Sequence, residues 1–152
     1  MKPASVAIRP VQVPDREAWV ALRSRLWPQD LEEHSAAVHG FFEGESPWID
    51  AGWVATCEKE VVGFLELRVR PYAAGSTKER VPYVEGWYVS PEFRGKGVGA
   101  KLVDACTEWA QSQGFEELAS DAELANTASQ AAHRALGFEE VERSVAFLKK
   151  LT

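Results

Sequence analysis

Between residues 84 and 99 the chain reads Val84-Glu85-Gly86-Trp87-Tyr88-Val89-Ser90-Pro91-Glu92-Phe93-Arg94-Gly95-Lys96-Gly97-Val98-Gly99. An aromatic and β-branched run, Tyr83 to Val89, has the composition of a central strand and stops at Ser90-Pro91. Glycines at 95, 97 and 99 follow, and then Val98, Leu102, Ala105, Cys106 and Trp109 recur on one helical face until Gly114. A strand that turns through glycines into a helix presents free backbone N–H groups and the positive end of the helix dipole. Glycines remove the Cβ atoms that would keep a ligand away from that backbone. Arg94 and Lys96 add positive charge at the same place. The segment therefore describes a cradle for a pyrophosphate, carried by an α/β fold.

Two better-known phosphate fingerprints fit less well. Gly95-Lys96-Gly97-Val98-Gly99-Ala100 matches the dinucleotide pattern only in its alanine-ended form. That pattern belongs after the first strand of a βαβ unit, with an acid about 20 residues on; here it follows a late strand. A P-loop requires Gly-Lys-Ser/Thr, which does not occur here.

The rest of the chain supplies the setting. A strand is expected at Val6–Arg9, and a helix over about residues 15–26, opened by Pro14-Asp15 and stopped by Pro28. A second helix is expected at Leu31–Phe42, with Leu31, Val38, Phe41 and Phe42 sharing a face. Strands are expected at Gly52–Cys57 and Val61–Arg70. In the latter, Leu65, Leu67 and Val69 alternate with Glu66, Arg68 and Arg70, the period of a half-buried strand. Gly86 interrupts the Tyr83–Val89 strand as a bulge or close approach would. After the helix Gly97–Gln113 come a strand at Glu117–Ser120 and a helix near Thr127–Leu136. The last two strands, Phe138–Glu142 and Val145–Lys149, would pair across Arg143-Ser144. This order implies a mixed α/β sheet with about four helices, in a single domain over residues 1–152.

Composition narrows the partners. Seventeen Lys and Arg against 23 Asp and Glu leave a formal charge of −6, a surface that repels nucleic-acid phosphates and attracts small cations. No apolar run approaches the roughly 18 residues of a membrane span. Met1-Lys2-Pro3-Ala4-Ser5 leads into no apolar signal core, so a cytoplasmic protein is expected. Cys57 and Cys106 lie in apolar patterns without metal-ligand spacing and read as buried hydrophobes; no metal is expected.

Arg94-x-x-Gly97-x-Gly99, between strand and helix, resembles the Arg/Gln-x-x-Gly-x-Gly/Ala motif of the GNAT N-acetyltransferases. The later Ala135-Leu136-Gly137-Phe138 also recurs in that superfamily, and the order of elements matches along nearly the whole chain. The resemblance implies acetyl-coenzyme A bound between two splayed parallel strands. Trp87, Tyr88 and Val89 would offer backbone groups to the acetyl and pantetheine arm. Arg94, Gly95, Lys96, Gly97, Val98, Gly99 and Ala100 would wrap the pyrophosphate, and Asn126 would hydrogen-bond the cofactor. His133 stands where many relatives carry a Tyr near the thiol. Read from the residue alone it is a partly buried helix histidine; the resemblance adds a role as the acid for the leaving thiolate.

A finer likeness concerns the acceptor. Leu22-Arg23, Leu26-Trp27-Pro28, Val84-Glu85-Gly86, Ala119-Ser120-Asp121, His133 with Leu136-Gly137-Phe138, and Lys149-Lys150 resemble the aminoglycoside 6′-N-acetyltransferases. The likeness is nearest to the branch whose homodimers exchange or interleave C-terminal strands. It implies that Trp27, Tyr72, Glu85, Asp121 and Glu142 line the antibiotic site. The chemistry agrees, because a polycationic sugar needs several carboxylates and flat faces. Glu85 beside the bulge and Asp121 at a strand end would face one cleft, although a solvated strand residue and a turn cap are their plain readings. Asp121 or Glu85 would take the proton from the amine, and the Val89 N–H would stabilise the oxyanion. Relatives often carry a Tyr near Phe147, so that acid is missing here, which leaves thiolate protonation to His133, Tyr88, water or no specific group. Two other readings share these features: a GNAT acting on another polyamine or a protein amine, and a non-catalytic acetyl-CoA-binding domain.

Overall fold

The computed structural model describes residues 5–29 and 31–152. Residues 1–4, which hold most of the N-terminal stretch read for a signal core, lie outside the described residues, as does residue 30. The strands are β1 (Ala7–Pro10), β2 (Ala51–Cys57), β3 (Glu60–Arg70) and β4 (Val81–Val89); the helices are α1 (Arg16–Leu26), α2 (Leu31–Phe42), α3 (Val98–Ser112) and α4 (Thr127–Ala135).

The four strands form one antiparallel sheet in the order β1-β2-β3-β4. Alternate side chains go to opposite faces. Val54 and Phe64 join Trp19, Leu22 and Val38 beneath α1 and α2. Trp53, Leu65, Leu67 and Val84 join Leu102 and Cys106 beneath α3. Burial pushes the Cys106 thiol up to about 12, as expected of a small core hydrophobe. The entry to α1 is tied by Asp15, which accepts from the Gln12 N–H at 2.7 Å and pairs with Arg9 at 2.7 and 2.8 Å. Glu58 and Lys59 take positive φ in the tight turn between β2 and β3, as a two-residue hairpin demands.

Two expectations need correcting on the first face. Leu31 is 63% exposed rather than part of the buried stripe. Glu66, expected at the solvent, is 2% exposed, because α1 covers it. Trp19 Nε1 donates to Glu66 at 3.0 Å and Arg23 pairs with its other oxygen. Burial raises the Glu66 pKa, and Arg23 and Trp19 pull it back.

The larger correction concerns residues 116–152. The strand expected at Glu117–Ser120 reduces to one parallel bridge, Tyr83 to Ala119. Val84 N–H donates to Ala119 O at 2.8 Å and Ala119 N–H to Pro82 O at 2.9 Å. Beyond that bridge the register of β4 shifts between its partners Glu66 and Leu67, and the bulge turns β4 away before a second bridge forms. The strands expected at Phe138–Glu142 and Val145–Lys149 are not formed. Arg143-Ser144 does not adopt the positive φ of a tight hairpin. Val145, Phe147 and Leu148 are 70, 92 and 89% exposed, so the segment packs on no apolar face among the described residues. The mixed sheet is thus four antiparallel strands with a parallel neighbour that touches β4 once and splays from it.

Candidate active site

The turn after β4 has the geometry its glycines require. Gly95 and Gly97 sit at φ +75° and +81°, Gly97 as the residue before the first turn of α3. A Cβ built on either would meet nothing within 4 Å, so their backbone faces open space. The first bond of α3 runs from Lys101 N–H to Gly97 O at 3.1 Å, leaving the preceding N–H groups without helical partners. Gly99 is used differently: its Cβ would lie 3.1 Å from the Trp87 indole, which donates from Nε1 to Gly99 O at 3.1 Å. Arg94 Nε donates to Val89 O at 2.7 Å, and its guanidinium lies 5.2 Å from the Tyr88 ring centre. Val98 is buried, whereas Arg94, Gly95, Lys96 and Gly97 are exposed. An exposed nest of N–H groups with two cations is a site for an anion.

Beside this cradle β4 keeps a free edge. Ser90 N–H donates to Val62 O at 2.8 Å, and Tyr88 O lies toward Gly63 on β3. Strand alternation then aims the Val89 N–H and C=O at the opposite edge, where Val89 O meets Arg94. The splay between that edge and Ala119 opens a wedge floored by main chain. On the α1 side, the bulge glycine admits an aromatic ring: a Cβ at Gly86 would come within 2.7 Å of the Trp27 ring. Trp27, directly after α1, stacks on His34 at 6.1 Å and carries Arg23 over its ring at 5.0 Å.

The candidate carboxylates are brought together through two residues that sequence reasoning missed. Glu85 accepts a forked pair of hydrogen bonds from Arg70, both 2.7 Å. The Arg70 guanidinium carbon lies 3.6 Å from the centre of the Tyr83 ring, and Tyr83 donates its hydroxyl to Asp121 Oδ2 at 2.7 Å. Burial, together with donation to Asp121, raises the Tyr83 phenol above its ordinary value, so it stays a donor. The period-two pattern of β3 did place Arg70 on the face of Glu66, but nothing in the pattern pointed to Tyr83 as a link.

The remaining residues divide. His133 is packed edge-on between Trp87 and Phe138, each at 5.2 Å. Its Nδ1 lies 2.7 Å from Ser129 O and its Nε2 2.7 Å from Ser120 Oγ. A carbonyl only accepts, so Nδ1 carries hydrogen toward Ser129, and Nε2 shares a hydrogen bond with the Ser120 hydroxyl. Asn126 uses its Oδ1 to cap α4, accepting from Ser129 N–H at 3.0 Å. Glu142 lines a cleft of about 910 Å³ with Tyr83, Asp121 and His133. Tyr72 stands 67% exposed on the loop after β3, and Glu85 and Trp27 lie outside that cleft's lining. Among the described residues no cluster of three His, Cys, Asp or Glu side chains could hold a metal.

Residues 16–138 match the model of the acetyltransferase (GNAT) family. The chain belongs to the GNAT acetyltransferase family. It is 40% identical to an aminoglycoside N(6′)-acetyltransferase type 1 of Klebsiella aerogenes over 97% of this chain and 99% of that protein. A like-named protein of Stenotrophomonas maltophilia is 38% identical over 92% and 90%. Among solved structures, AAC(6′)-Iy in complex with the bisubstrate analogue CoA-S-monomethyl-acetylneamine superposes with a TM-score of 0.88 at 33% identity, covering 97% of this chain and 99% of that one. For this GNAT acetyltransferase, the strand–turn–helix cradle lies inside the matched region.

Proposed function

We propose that this chain transfers acetyl from acetyl-CoA to the 6′-amine of aminoglycosides, conferring resistance to them. What carries the reading is the joining of Glu85 and Asp121 through Arg70 and Tyr83, with Glu85 and Tyr83 on the strand that leads into the glycine cradle. The likeness to proteins named for this activity, over 97% of the chain, supports it.

The cradle fits acetyl-CoA by its own geometry: open glycines at positive φ, free N–H groups and two cations. In the proposal, residues 94–100 hold the pyrophosphate, the free edge of Trp87–Val89 holds the pantetheine arm, and Asn126 adds a side-chain contact. Acetyl-CoA supplies the thioester. The Val89 N–H polarises its carbonyl and stabilises the tetrahedral oxyanion. Trp27, Tyr72, Glu85, Asp121 and Glu142 receive the sugar and its ammonium groups. An ammonium has no lone pair, so Asp121 or Glu85 takes a proton before attack. As an imidazolium, His133 gives its Nε2 proton to the Ser120 oxygen while the Ser120 hydroxyl passes its own proton toward the thiolate, a relay that the hydrogen bond between them permits. Transfer is direct; Cys106, buried and with a raised pKa, is no nucleophile.

The proposal includes a homodimer in which the C-terminal segment lies on the partner. Three observations favour it. Phe147, Leu148 and Leu151 are 92, 89 and 85% exposed; the 116–121 edge has only one bridge; and the 910 Å³ cleft opens between that edge and residues 136–144. A molecular mass in solution near twice 16.8 kDa is expected.

Thiol release measured with kanamycin, its 6′-hydroxyl analogue and spermidine tests the function. Release is expected with kanamycin and not with the 6′-hydroxyl analogue, which lacks the target amine. Equal turnover of both sinks the reading, and preference for spermidine moves it to another polyamine. Among the described residues no helix is long and apolar enough to cross a membrane; a cytoplasmic location is part of the proposal.

A further inference from the structure

The two carboxylates proposed for the acceptor sit on backbone that the sheet does not fix. Glu85 is the extra residue of the β4 bulge: Val84 pairs with Leu67 and Gly86 with Glu66, leaving Glu85 without a register partner. Asp121 lies two residues beyond the Ala119 bridge. Residues so weakly held by main chain need a side-chain anchor if they are to meet a substrate at defined positions. Both are reached from one guanidinium. Arg70, the last residue of β3, grips both oxygens of Glu85 at 2.7 Å and lies flat against Tyr83 at 3.6 Å; Tyr83 in turn donates to Asp121 Oδ2 at 2.7 Å.

We propose that Arg70 is a positioning residue for acceptor recognition, holding Glu85 directly and Asp121 through Tyr83 so that the two carboxylates act as one receptor for a polyamine. This rests on the acetyl-transfer reading above. The arrangement needs arginine for its shape as well as its charge. A forked guanidinium engages both carboxylate oxygens while its face stacks on an aromatic ring, which an ammonium does not reproduce. Tyr83 engages Oδ2 of Asp121 alone, so Oδ1 is left for an amine. Arg70 brings a positive charge to a rim that must attract cations, a cost that only a gain in geometry offsets.

Steady-state kinetics of the full chain with kanamycin and acetyl-CoA separate geometry from charge. Arg70→Gln is expected to raise the acceptor KM about tenfold or more, the loss of one charge-assisted hydrogen-bond pair, while the acetyl-CoA KM stays put. Arg70→Lys keeps the charge without the fork or the stack, and its acceptor KM is expected nearer that of Arg70→Gln than that of the unaltered chain. Tyr83→Phe keeps the ring and removes only the bond to Asp121. It is expected to raise the acceptor KM a few-fold, and to cost less in the Arg70→Gln background than alone, because both act through one chain of contacts. Four results overturn the inference: an acceptor KM that falls in Arg70→Gln, as charge removal alone dictates; an Arg70→Lys indistinguishable from the unaltered chain; an acetyl-CoA KM that rises as much as the acceptor KM; or independent effects of Arg70→Gln and Tyr83→Phe. Should Arg70→Gln melt at assay temperature, an unchanged acceptor KM in Tyr83→Phe overturns it. An unaltered chain that releases no thiol with kanamycin or spermidine sinks the acetyl-transfer reading itself, and the role of Arg70 with it; any thiol release by the unaltered chain leaves a negative result on the variants to count against Arg70 alone.

Discussion

From β1 to α3 the apolar side chains close on one another: Trp19, Val54, Phe64, Leu65, Leu67 and Leu102 are all fully buried. From Gln111 to Thr152, by contrast, not one residue is buried. Even α4 has no buried residue. A chain normally buries its apolar residues within itself; the difference is the one that the proposed homodimer would account for, by covering the last third. The proposed site straddles the two regions. Trp27, Glu85 and the glycine cradle stand on the closed sheet; Asp121, Asn126, His133 and Glu142 stand on the open part, joined to the sheet by one bridge and by the Tyr83 hydroxyl.

If the open part carries chemistry and is more than a tail, Asp121→Asn is the most damaging exchange. Loss of a positioned proton acceptor costs about 10²–10⁴-fold in turnover, and acetyl-CoA binding, proposed for the cradle and the β4 edge of the closed part with Asn126 as its one contact on the open part, is expected to stay within a factor of about two of the original. Stopped-flow turnover and calorimetric acetyl-CoA binding measure the two. Equal losses in both place Asp121 on the cofactor side and break the division.

Identical chemistry at unequal burial tests the division through stability. Leu102→Ala removes a fully buried side chain from beneath α3 and is expected to cost about 2–5 kcal/mol. Leu148→Ala acts on a side chain 89% exposed, and at high dilution its effect should stay within about 0.5 kcal/mol. Raising the protein concentration is expected to expose a cost for Leu148→Ala alone, as mass action requires if a partner covers that segment. Denaturant titrations at two concentrations decide. A concentration-independent Leu148→Ala leaves the open region without a partner.

Two glycines, one at the β4 bulge and one at the start of α3, sharpen the comparison further. At Gly86 an added methyl meets the Trp27 ring at 2.7 Å, so the ring must shift. Gly86→Ala is expected to raise the acceptor KM about tenfold, the cost of a modest overpacking, and to spare acetyl-CoA. Gly97, at φ +81° with open space around it, suffers no clash. Gly97→Ala instead strains the left-handed residue that opens α3, by about 1–2 kcal/mol, and is expected to raise the acetyl-CoA KM alone. Kinetics in which both glycines move the same constant contradict the separation of cradle from acceptor edge.

Legibility in the sequence follows the same line. Helix and strand ends from β1 to α3 were readable to within two residues, because in that region local period and burial agree. Val54 against Trp53, and Phe64 against Leu65, go to the faces that alternation assigns. The cradle was readable because glycines at positive φ leave a mark in the sequence itself. Glu66 was not, since whether a strand residue faces solvent or a helix depends on α1, which lies some 40 residues earlier. The last strands were misread for a related reason: the apolar alternation of Val145, Phe147 and their neighbours is real, but among the described residues nothing covers it. Arg70 and Tyr83 escaped because an arginine on a strand and a tyrosine in an aromatic run are ordinary until a bulge brings Glu85 between them.

The smallest expected effect compares two carboxylates, each held below its ordinary value chiefly by hydrogen bonds from an arginine. Asp15 pairs with Arg9 in the closed part, and Glu140 with Arg143 in the open part. A carboxyl lowered in the folded state adds stability that is complete above its unfolded value and is lost as pH falls through the folded one. For Asp15 the loss begins near the ordinary 3.8 and continues below it. The difference in unfolding free energy between the unaltered chain and Asp15→Asn is therefore expected to be full at neutral pH and to shrink as the solution is acidified past that point. Glu66, whose raised value acts in the opposite sense, is common to both chains and cancels. Asp15 is 5% exposed, so added salt should leave most of that difference in place, whereas Glu140→Gln, in an exposed pair with Arg143, should show none once salt screens the pair. Denaturation of the unaltered chain and both variants at low and high salt measures this. A Glu140→Gln as costly and as salt-resistant as Asp15→Asn requires the open segment to be packed even in the isolated chain, and erases the boundary at the end of α3.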